Sequence, residues 1–245
     1  MSLKILVTND DGIDSIGLKY LVEHAKKYGE VTVIAPKKEQ SAKSQAIEVR
    51  KSIECKKVDK NFGVETYSID STPTDCVRFA KYGLKKDFDL ILSGINSGYN
   101  VGEDIWYSGT VSVVFEAVSI KAKAIAFSVI KSSNEGFIYF DMCMDYILNN
   151  KLLDVCDIYN VNIPANAKGI KITKQGFCNF DTWFREVDKD EYIQEGVWNA
   201  ESRIEKIEID SACVANDYIS ITPLTANRTN KEAFDILKNK KDLQW

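Results

Sequence analysis

Two adjacent carboxylates follow the first apolar run of the chain. Residues Ile5 to Thr8 are apolar or β-branched, and Asp10, Asp11 and Gly12 come shortly after them. On a continuing strand the two aspartates would point to opposite faces, so we expect them to lie where the strand ends and the chain turns. Two ionised carboxylates about 4 Å apart repel by roughly 4 kcal/mol at an effective dielectric of about 20. A shared proton, a basic side chain or a metal ion could offset that repulsion, whereas a solvated turn would need none of them.

A second polar stretch follows a predicted strand at residues 89–93. Residues 94–102 carry a glycine at every fourth position, with Asn96 and Asn100 between them, which indicates a long loop. This loop leads to Ser108, Gly109 and Thr110 and then to apolar residues at helical spacing. The three residues would lie at a helix N-terminus, where free N–H groups and the helix dipole favour an anion. They are also ordinary capping residues, and neither the Walker A spacing nor the dinucleotide fingerprint occurs.

The elements around these residues predict a mostly parallel α/β sheet. After the acidic turn, residues 18–25 carry apolar side chains on one helix face, with Asp14 or Ser15 as the cap and Gly29 expected to end the helix. Residues 31–36 form a second apolar strand. Strand–helix–strand units of this kind are right-handed and place ligands at the carboxyl ends of their strands. The acidic turn and the loop that carries Ser41 should therefore share one edge of the sheet.

The rest of the chain predicts further elements. Predicted strands cover 47–50, 64–69, 89–93, 124–129, 157–164, 170–173 and 217–224, and predicted helices cover 72–84, 111–118, 137–148 and 234–237. The first two of these strands suggest a partly exposed, hairpin-like insert. From residue 177 to 210 the pattern weakens into aromatic and acidic residues with short alternations, which indicates an irregular or hairpin extension rather than a second domain.

Composition excludes several kinds of function. The 245 residues, 44% hydrophobic and 28% charged, suit one large domain or one domain with an extension. With a net charge of −4 the chain has no overall electrostatic attraction to a nucleic-acid duplex or to an anionic membrane. The first apolar run is too short for a signal peptide, and no stretch approaches the roughly 20 apolar residues that cross a bilayer. Six scattered cysteines without a C-x-x-C pair favour reduced thiols, and we expect a cytoplasmic protein.

A single histidine limits the chemistry further. His24 falls in the first predicted helix, beside two lysines, where a surface or flanking role is expected. A Ser-His-Asp triad, a histidine-rich zinc site or a phosphohistidine mechanism would each have to use it. The carboxylates therefore become the candidates for proton transfer.

The strand-end loops together supply oxygen ligands for a hard cation. Carboxylate, hydroxyl and carboxamide oxygens from Asp10, Asp11, Ser41 and Asn96 suit one divalent ion, Mg²⁺, Mn²⁺ or Ca²⁺, rather than zinc. A hard cation beside an anion-binding helix start is the arrangement that phosphoryl chemistry requires. From the residues alone we infer a metal-dependent phosphohydrolase.

Six motifs in a fixed order also support a family resemblance. They are Asn9-Asp10-Asp11-Gly12, Ala35-Pro36 followed by Ser41, Thr72-Pro73-Thr74-Asp75-Cys76, residues 93–100, Tyr107-Ser108-Gly109-Thr110 and Val161-Asn162-Ile163-Pro164. Together they resemble the SurE family of 5'/3'-nucleotidases over about residues 3–173, and residues 218–224 resemble a late strand of that family. Departures at 14–17, 37–40 and 216–218 bear on substrate preference and oligomer geometry more than on chemistry.

The resemblance implies a fold, a substrate class and an assembly. The expected fold is a three-layer α/β/α Rossmann-like domain, with a mostly parallel sheet and a C-terminal β-hairpin extension. Residues 1–245 would form one domain, with about 177–245 as an extension used for oligomer contacts in a homodimer or homotetramer. The implied activity is removal of phosphate from nucleoside monophosphates, and some members act on short polyphosphate.

The same motif matches imply roles for individual residues. Asp10, Asp11, Ser41 and Asn96 are similar to the divalent-metal ligands of the family, and the two aspartates are its catalytic carboxylates. The phosphate-binding or substrate-binding residues implied in this way are Asn9, Asn100, Ser108, Gly109 and Thr110.

For the mechanism we predict direct attack by a metal-activated water that Asp10 orients as a general base, with Asp11 mainly a ligand. An aspartyl-phosphate intermediate on Asp10 is the alternative.

Two other protein classes place acidic residues after a first strand. A receiver-like or nucleotide-sensing module also holds Mg²⁺ with an acidic pair, but a receiver needs a phospho-acceptor aspartate where this chain has Ser93-Gly94. A receiver is also about half this length. A phosphatase with an Asp-x-Asp nucleophile motif would not have adjacent aspartates.

Overall fold

The computed structural model describes residues 2–131, 133–177, 180–198, 207–238 and 240. Within them the strands are β1 (Leu3–Thr8), β2 (Gly29–Pro36), β3 (Cys55–Lys57), β4 (Glu65–Ile69), β5 (Leu90–Ser97), β6 (Lys123–Val129), β7 (Ile158–Ile163), β8 (Ile170–Ile172), β9 (Phe180–Asp188), β10 (Glu191–Trp198) and β11 (Ile219–Pro223). The α-helices are α1 (Ile16–Ala25), α2 (Pro73–Arg78), α3 (Gly109–Ser119), α4 (Phe140–Asn149), α5 (Leu152–Val155), α6 (Asp210–Ala215) and α7 (Lys231–Leu237).

Most strands of the main sheet run parallel. Among the described residues nine strands form one sheet in the order β3-β4-β2-β1-β5-β6-β7-β11-β8. The six strands from β4 to β7 in that order are parallel to their neighbours, whereas β3 pairs antiparallel with β4 and β11 pairs antiparallel with β7. The predicted α/β class with a mostly parallel sheet is therefore confirmed, and the carboxyl ends of β1, β2, β5 and β6 meet at one edge.

Helices cover both faces of this sheet. On one face, Leu21 of α1 and Phe140 of α4 belong to a buried cluster with Phe127 of β6. On the other face, Val77 of α2 and Val114 of α3 belong to a second buried cluster. Full burial of each such side chain contributes about 1.5–3 kcal/mol. The three-layer arrangement follows because the central strands carry apolar side chains toward both faces.

Side-chain caps begin the helices that border the site. The Ser15 hydroxyl accepts a hydrogen bond from the Leu18 N–H at the start of α1, so Ser15 rather than Asp14 is the cap. The Ser108 hydroxyl accepts from the Val111 N–H, 3.0 Å away, at the start of α3. Helix α1 ends at Ala25, and Gly29 begins β2 rather than ending the helix.

The predicted strand at residues 47–50 is wrong. These residues form no strand because their backbone bonds to the start of α2 instead of to a neighbouring strand. The Glu48 N–H donates to Asp75 Oδ2 over 2.9 Å, and the Thr72 hydroxyl donates to the Ala46 carbonyl over 2.7 Å. The edge strand that pairs with β4 is β3, at residues 55–57.

The predicted loop at residues 94–102 begins later than expected. Strand β5 continues to Ser97, since Asn96 and Ser97 pair with Ser128 and Val129 of β6 after a shift of register. Gly94 permits this shift, with a cis peptide bond to Ile95 and a φ of +126°. A Cβ atom on Gly94 would lie 2.3 Å from the carbonyl oxygen of Phe127, so no side chain fits there.

Strands β9 and β10 form a separate antiparallel hairpin, as the extension was predicted to do. Cys178 and residues 199–206 lie outside the described residues, as do several positions at the C-terminus. The described cysteines carry free thiols. In the part of the chain that the structure describes, no helix is both long enough and apolar enough to span a bilayer.

Candidate active site

A cavity of about 520 Å³ opens at the carboxyl ends of β1, β2, β5 and β6. It is lined by Asp10, Asp11, Glu39, Ser41, Ala42, Asn96, Ser97, Gly98, Tyr99, Asn100, Asp104, Tyr107, Ser108 and Lys131. The four predicted metal ligands are all among these residues. The predicted shared edge therefore exists, and four separate segments of the chain form it.

Asp10 is the most enclosed of the acidic groups in this cavity. Its side chain is 5% exposed, and the Thr110 hydroxyl donates a hydrogen bond to its Oδ1. A Cβ atom on Gly109 would lie 2.7 Å from Asp10 Cβ, so the first residue of α3 must be glycine for this approach. Burial raises the pKa of Asp10 to about 6, with a further upward contribution from Asp11, while the Thr110 hydrogen bond acts in the opposite direction.

Asp11 lies beside Asp10 but faces a different neighbour. Its Oδ2 accepts a hydrogen bond from the Ser97 N–H at 3.3 Å. Burial raises the pKa of Asp11, the Ser97 hydrogen bond lowers it, and the nearby Glu39 carboxylate raises it again. Ionisation of both aspartates is therefore energetically unfavourable in the metal-free protein, and a bound cation would offset this unfavourable energy.

The loop after β2 packs directly on the acidic turn. The Gln40 N–H donates to the Asp10 carbonyl over 2.7 Å, and the Ile13 N–H donates to the Pro36 carbonyl over 2.8 Å. These bonds bring Ser41 to the cavity, where its exposed hydroxyl donates to Glu39 Oε1 over 2.5 Å.

The two predicted asparagines occupy different environments. Asn96 donates through Nδ2 to the Gly98 carbonyl over 2.8 Å. Asn100 is buried, and its Nδ2 donates to the Ser128 hydroxyl over 2.8 Å. Its backbone is held by two asparagines of β7, because its N–H donates to Asn162 Oδ1 and its carbonyl accepts from Asn160. The Asn100 side chain therefore helps to hold the site loop as well as lining the cavity.

The donor set fits a hard divalent cation. Asp11 Oδ1 and the carboxamide oxygen of Asn96 accept no hydrogen bond from the described residues, and Asp10 Oδ2 accepts none from a described side chain. The Ser41 hydroxyl donates to Glu39 and keeps its lone pairs free. Among the described residues there is no group of three or more His, Cys, Asp or Glu side chains that could hold a metal ion. Mg²⁺ is usually bound by one or two carboxylates together with water and phosphate oxygens. A ligand set of two carboxylates, one hydroxyl and one amide leaves coordination positions for such oxygens.

The remaining predicted residues divide between the cavity and its support. Ser108 lines the cavity, and among the described residues the Gly109 N–H has no hydrogen-bond acceptor, whereas the Thr110 N–H faces the Asp10 carboxylate and acts to lower its pKa. The Thr110 hydroxyl is committed to Asp10. Asn9 is fully buried and does not line the cavity, since its Nδ2 donates to the Gly12 carbonyl and the Ser15 hydroxyl. Contact of Asn9 and Thr110 with substrate stays a prediction.

Several residues of this site were not predicted from the sequence. Ser97, Asp104 and Lys131 line the cavity, and only the pairing of β5 with β6 could have brought the first and the last together. Burial raises the pKa of Asp104 to about 6, with Glu103 adding to the effect. The sequence feature that could have indicated a role for Asp104 is its position, four residues before the predicted helix start at Ser108.

Asp210 was not predicted either, and it holds the loop between β5 and α3 in place. This buried carboxylate accepts hydrogen bonds from the N–H groups of Gly102 (2.9 Å), Gly176 (2.8 Å) and Ser211 (2.8 Å). Burial raises its pKa, while these three bonds act to lower it. The residue ties the loop that precedes α3 to the C-terminal part of the chain.

Comparison with known proteins gives one consistent result. The family model described as "Survival protein SurE" matches residues 5–182. The chain is 38% identical over 261 residues to the 5'-nucleotidase SurE of Clostridium botulinum strain 657, covering 98% of this chain and 99% of that protein. It is 37% identical over 247 residues to the 5'-nucleotidase SurE of Thermoanaerobacter sp. strain X514, covering 97% of this chain and 98% of that protein. The crystal structure of the SurE protein from Aquifex aeolicus matches with a TM-score of 0.80 at 33% identity, covering 96% of this chain and 98% of that one.

Proposed function

The chain belongs to the SurE family, and from that premise we propose that it is a divalent-metal-dependent 5'-nucleotidase that hydrolyses nucleoside monophosphates to nucleoside and phosphate. The observation that carries this proposal is the convergence of Asp10, Asp11, Ser41 and Asn96 on one cavity beside the start of α3. Activity on 3'-nucleotides and on short polyphosphate is part of the proposal and rests on the family alone.

The proposed metal site uses one oxygen from each of these four side chains. A bound Mg²⁺, Mn²⁺ or Ca²⁺ ion would polarise the phosphate and lower the pKa of a coordinated water. The reacting phosphate would lie against the start of α3, where the Gly109 N–H and the positive end of the helix dipole favour anionic oxygens.

We propose Asp10 as the general base. Because Oδ2 is assigned to the cation, the proton of the attacking water would go to Oδ1, which accepts the Thr110 hydroxyl and has a second lone pair. In the metal-free protein burial raises the pKa of this carboxyl to about 6, and a bound cation would lower it, so the carboxylate is ionised at neutral pH and can accept that proton. The water oxygen bonds to phosphorus as the phosphorus–ribose oxygen bond breaks, and the leaving ribose oxygen takes a proton from solvent to become the hydroxyl of the nucleoside. The alternative is attack by Asp10 itself, and labelled phosphate trapped on the protein after an acid quench would favour that route.

The test measures phosphate release from a panel of nucleoside 5'-monophosphates with Mg²⁺ or Mn²⁺ and with chelator. We expect activity in either metal, loss of activity in chelator and loss in Asp10→Asn. The matched control is Asp157→Asn, the same change of charge at an exposed position on the opposite edge of the sheet, which should stay active. Near-full activity of Asp10→Asn would refute the site. Metal binding without any turnover would favour the metal-binding sensor instead.

We further propose that the hairpin makes contacts between copies of the chain, in a homodimer or a homotetramer. It exposes Trp183, Phe184, Val187, Tyr192 and Ile193, which a monomer would leave in water. Sedimentation should show a dimer or tetramer for the full chain and a smaller species for Phe184→Asp. The free thiols of the described cysteines support the cytoplasm as the compartment.

A further inference from the structure

The charged groups around the cavity are strongly unbalanced. Asp10, Asp11, Glu39 and Asp104 contribute four carboxylates, and Lys131 is the single cation among the described lining residues. A phosphomonoester is itself a dianion, so it enters a cavity whose own charge opposes it. One divalent ion on the two aspartates would neutralise only part of that charge.

The backbone of Lys131 is linked to the acidic pair through two hydrogen bonds of Ser97. The Ser97 N–H donates to Asp11 Oδ2, and the Ser97 hydroxyl donates to the Lys131 carbonyl, each over 3.3 Å. The Gly98 N–H also donates to the carbonyl of Val129, at 2.9 Å. The segment after β6 is therefore tied to the same residues that hold Asp11.

The two aspartates have different neighbours in the cavity. Asp10 contacts the start of α3, where Gly109 offers its N–H group. Asp11 accepts the hydrogen bond of Ser97, whose hydroxyl bonds to the backbone carbonyl of Lys131. Because Lys131 lines the same cavity, its ammonium group is a second donor, besides the Gly109 N–H, for an anion held at the pair.

The ammonium group of Lys131 is also uncommitted. It makes no ion pair with any residue that the structure describes, although four carboxylates line the same cavity. By contrast, Lys60 pairs with Asp14 and Lys123 with Asp154. A lysine side chain is long and flexible, with three donors on a compact charge, so it can reach an anion that the cavity takes up.

We propose that Lys131 is a substrate-binding residue, whose ammonium group contacts phosphate oxygens of the bound nucleotide. This inference rests on the proposed function and deepens it. Lys131 offsets the repulsion of Glu39 and Asp104 while the substrate enters, and it donates to the phosphate before and during the reaction. Since that contact exists in the ground state and in the transition state alike, its loss should weaken binding rather than slow the chemical step.

The first test compares Lys131→Gln and Lys131→Arg with wild type on AMP in Mn²⁺. Lys121→Gln is the matched control, an exposed lysine in the turn before β6 at the opposite edge of the sheet. We expect KM to rise about three- to tenfold in Lys131→Gln with kcat unchanged, because a partly exposed charge-assisted hydrogen bond is lost. Lys131→Arg and Lys121→Gln should keep the wild-type KM. The fall of kcat/KM with added salt should be shallower in Lys131→Gln.

The second test measures binding of inorganic phosphate to the Mn²⁺-loaded protein by calorimetry, without turnover. Phosphate affinity should fall in Lys131→Gln by about the same factor as KM rises. Equal KM values and equal phosphate affinities for Lys131→Gln and Lys121→Gln would overturn the inference and leave the nucleotidase proposal standing. A fall of kcat at constant KM would also overturn it. A wild type that binds phosphate through Lys131 yet hydrolyses no nucleotide would refute the proposed function alone.

Discussion

Replacement of Asp10 by asparagine should stabilise the metal-free protein while it abolishes activity. Burial raises the pKa of this carboxyl from 3.8 to about 6 in the folded state. Between these two values the folded protein binds more protons than the unfolded chain, so its stability falls as the pH rises through that window. Above pH 6 the ionised Asp10 therefore costs about 3 kcal/mol of the free energy of unfolding, at about 1.36 kcal/mol for each pH unit of displacement.

The assay is urea unfolding in chelator at several pH values. The introduced asparagine would not ionise and could still accept the Thr110 hydrogen bond, so Asp10→Asn should be more stable than wild type by up to about 3 kcal/mol at pH 7. For a chain of this size that corresponds to about 6–12 °C in Tm. The difference should disappear near pH 4, where Asp10 is protonated in the folded wild type and the cost of its ionisation is no longer present. Asp157→Asn serves again as the exposed control and should show no such gain.

Added metal should reverse the order of stability. A cation present at 1,000 times its Kd stabilises the wild type by about 4.1 kcal/mol, which exceeds the deficit of about 3 kcal/mol, and the variant should gain much less because it lacks one charged ligand. The reasoning fails if Asp10→Asn in chelator is no more stable than wild type at pH 7. It fails equally if a gain at pH 7 persists unchanged at pH 4, since that gain could not come from the ionisation of Asp10.

Three further substitutions test the supports of the site. Gly109→Ala would place a Cβ 2.7 Å from Asp10 Cβ, and we expect kcat to fall about 100-fold with an unchanged circular dichroism spectrum. Thr110→Val removes a donor to the Asp10 carboxylate, so the acid limb of the kcat/KM profile should move up by about one to two pH units, whereas Thr110→Ser should leave it in place. Asp210→Ala leaves three N–H groups without their acceptor and should lower the free energy of unfolding by about 3 kcal/mol or more, measured in urea.

Local sequence patterns were sufficient to predict strand ends and helix starts, because these features depend on residues that are close together in the chain. The apolar run before Asp10 and the hydroxyls of Ser15 and Ser108 predicted a strand end and two helix starts, and the structure has them there. The family motifs predicted the sheet and the hairpin. The metal-binding roles of the four oxygen ligands stay predictions, although the structure brings all four to one cavity.

Long-range pairing explains what the sequence could not predict. Residues 47–50 alternate like a strand, but their backbone bonds to side chains of α2. Ser97 reaches Asp11 only because β5 shifts register against β6, and Lys131 follows from the same pairing. Asp210 lies 108 residues from Gly102 in the chain, and no local pattern marks a carboxylate with a partner at that separation.

The hydrogen bonds of Asp210 also close the base of the hairpin. Lys174 bridges to Ile209, and the Gly176 N–H bonds to Asp210, so the segment between them leaves and rejoins the domain at one point. An inserted segment with adjoining ends can change in length or sequence without moving the elements that flank it. The hairpin can thus diverge, or be exchanged for a short turn, as an independent module. The cavity at the carboxyl ends of the strands would keep its shape through such exchanges, because none of its lining residues belongs to the hairpin.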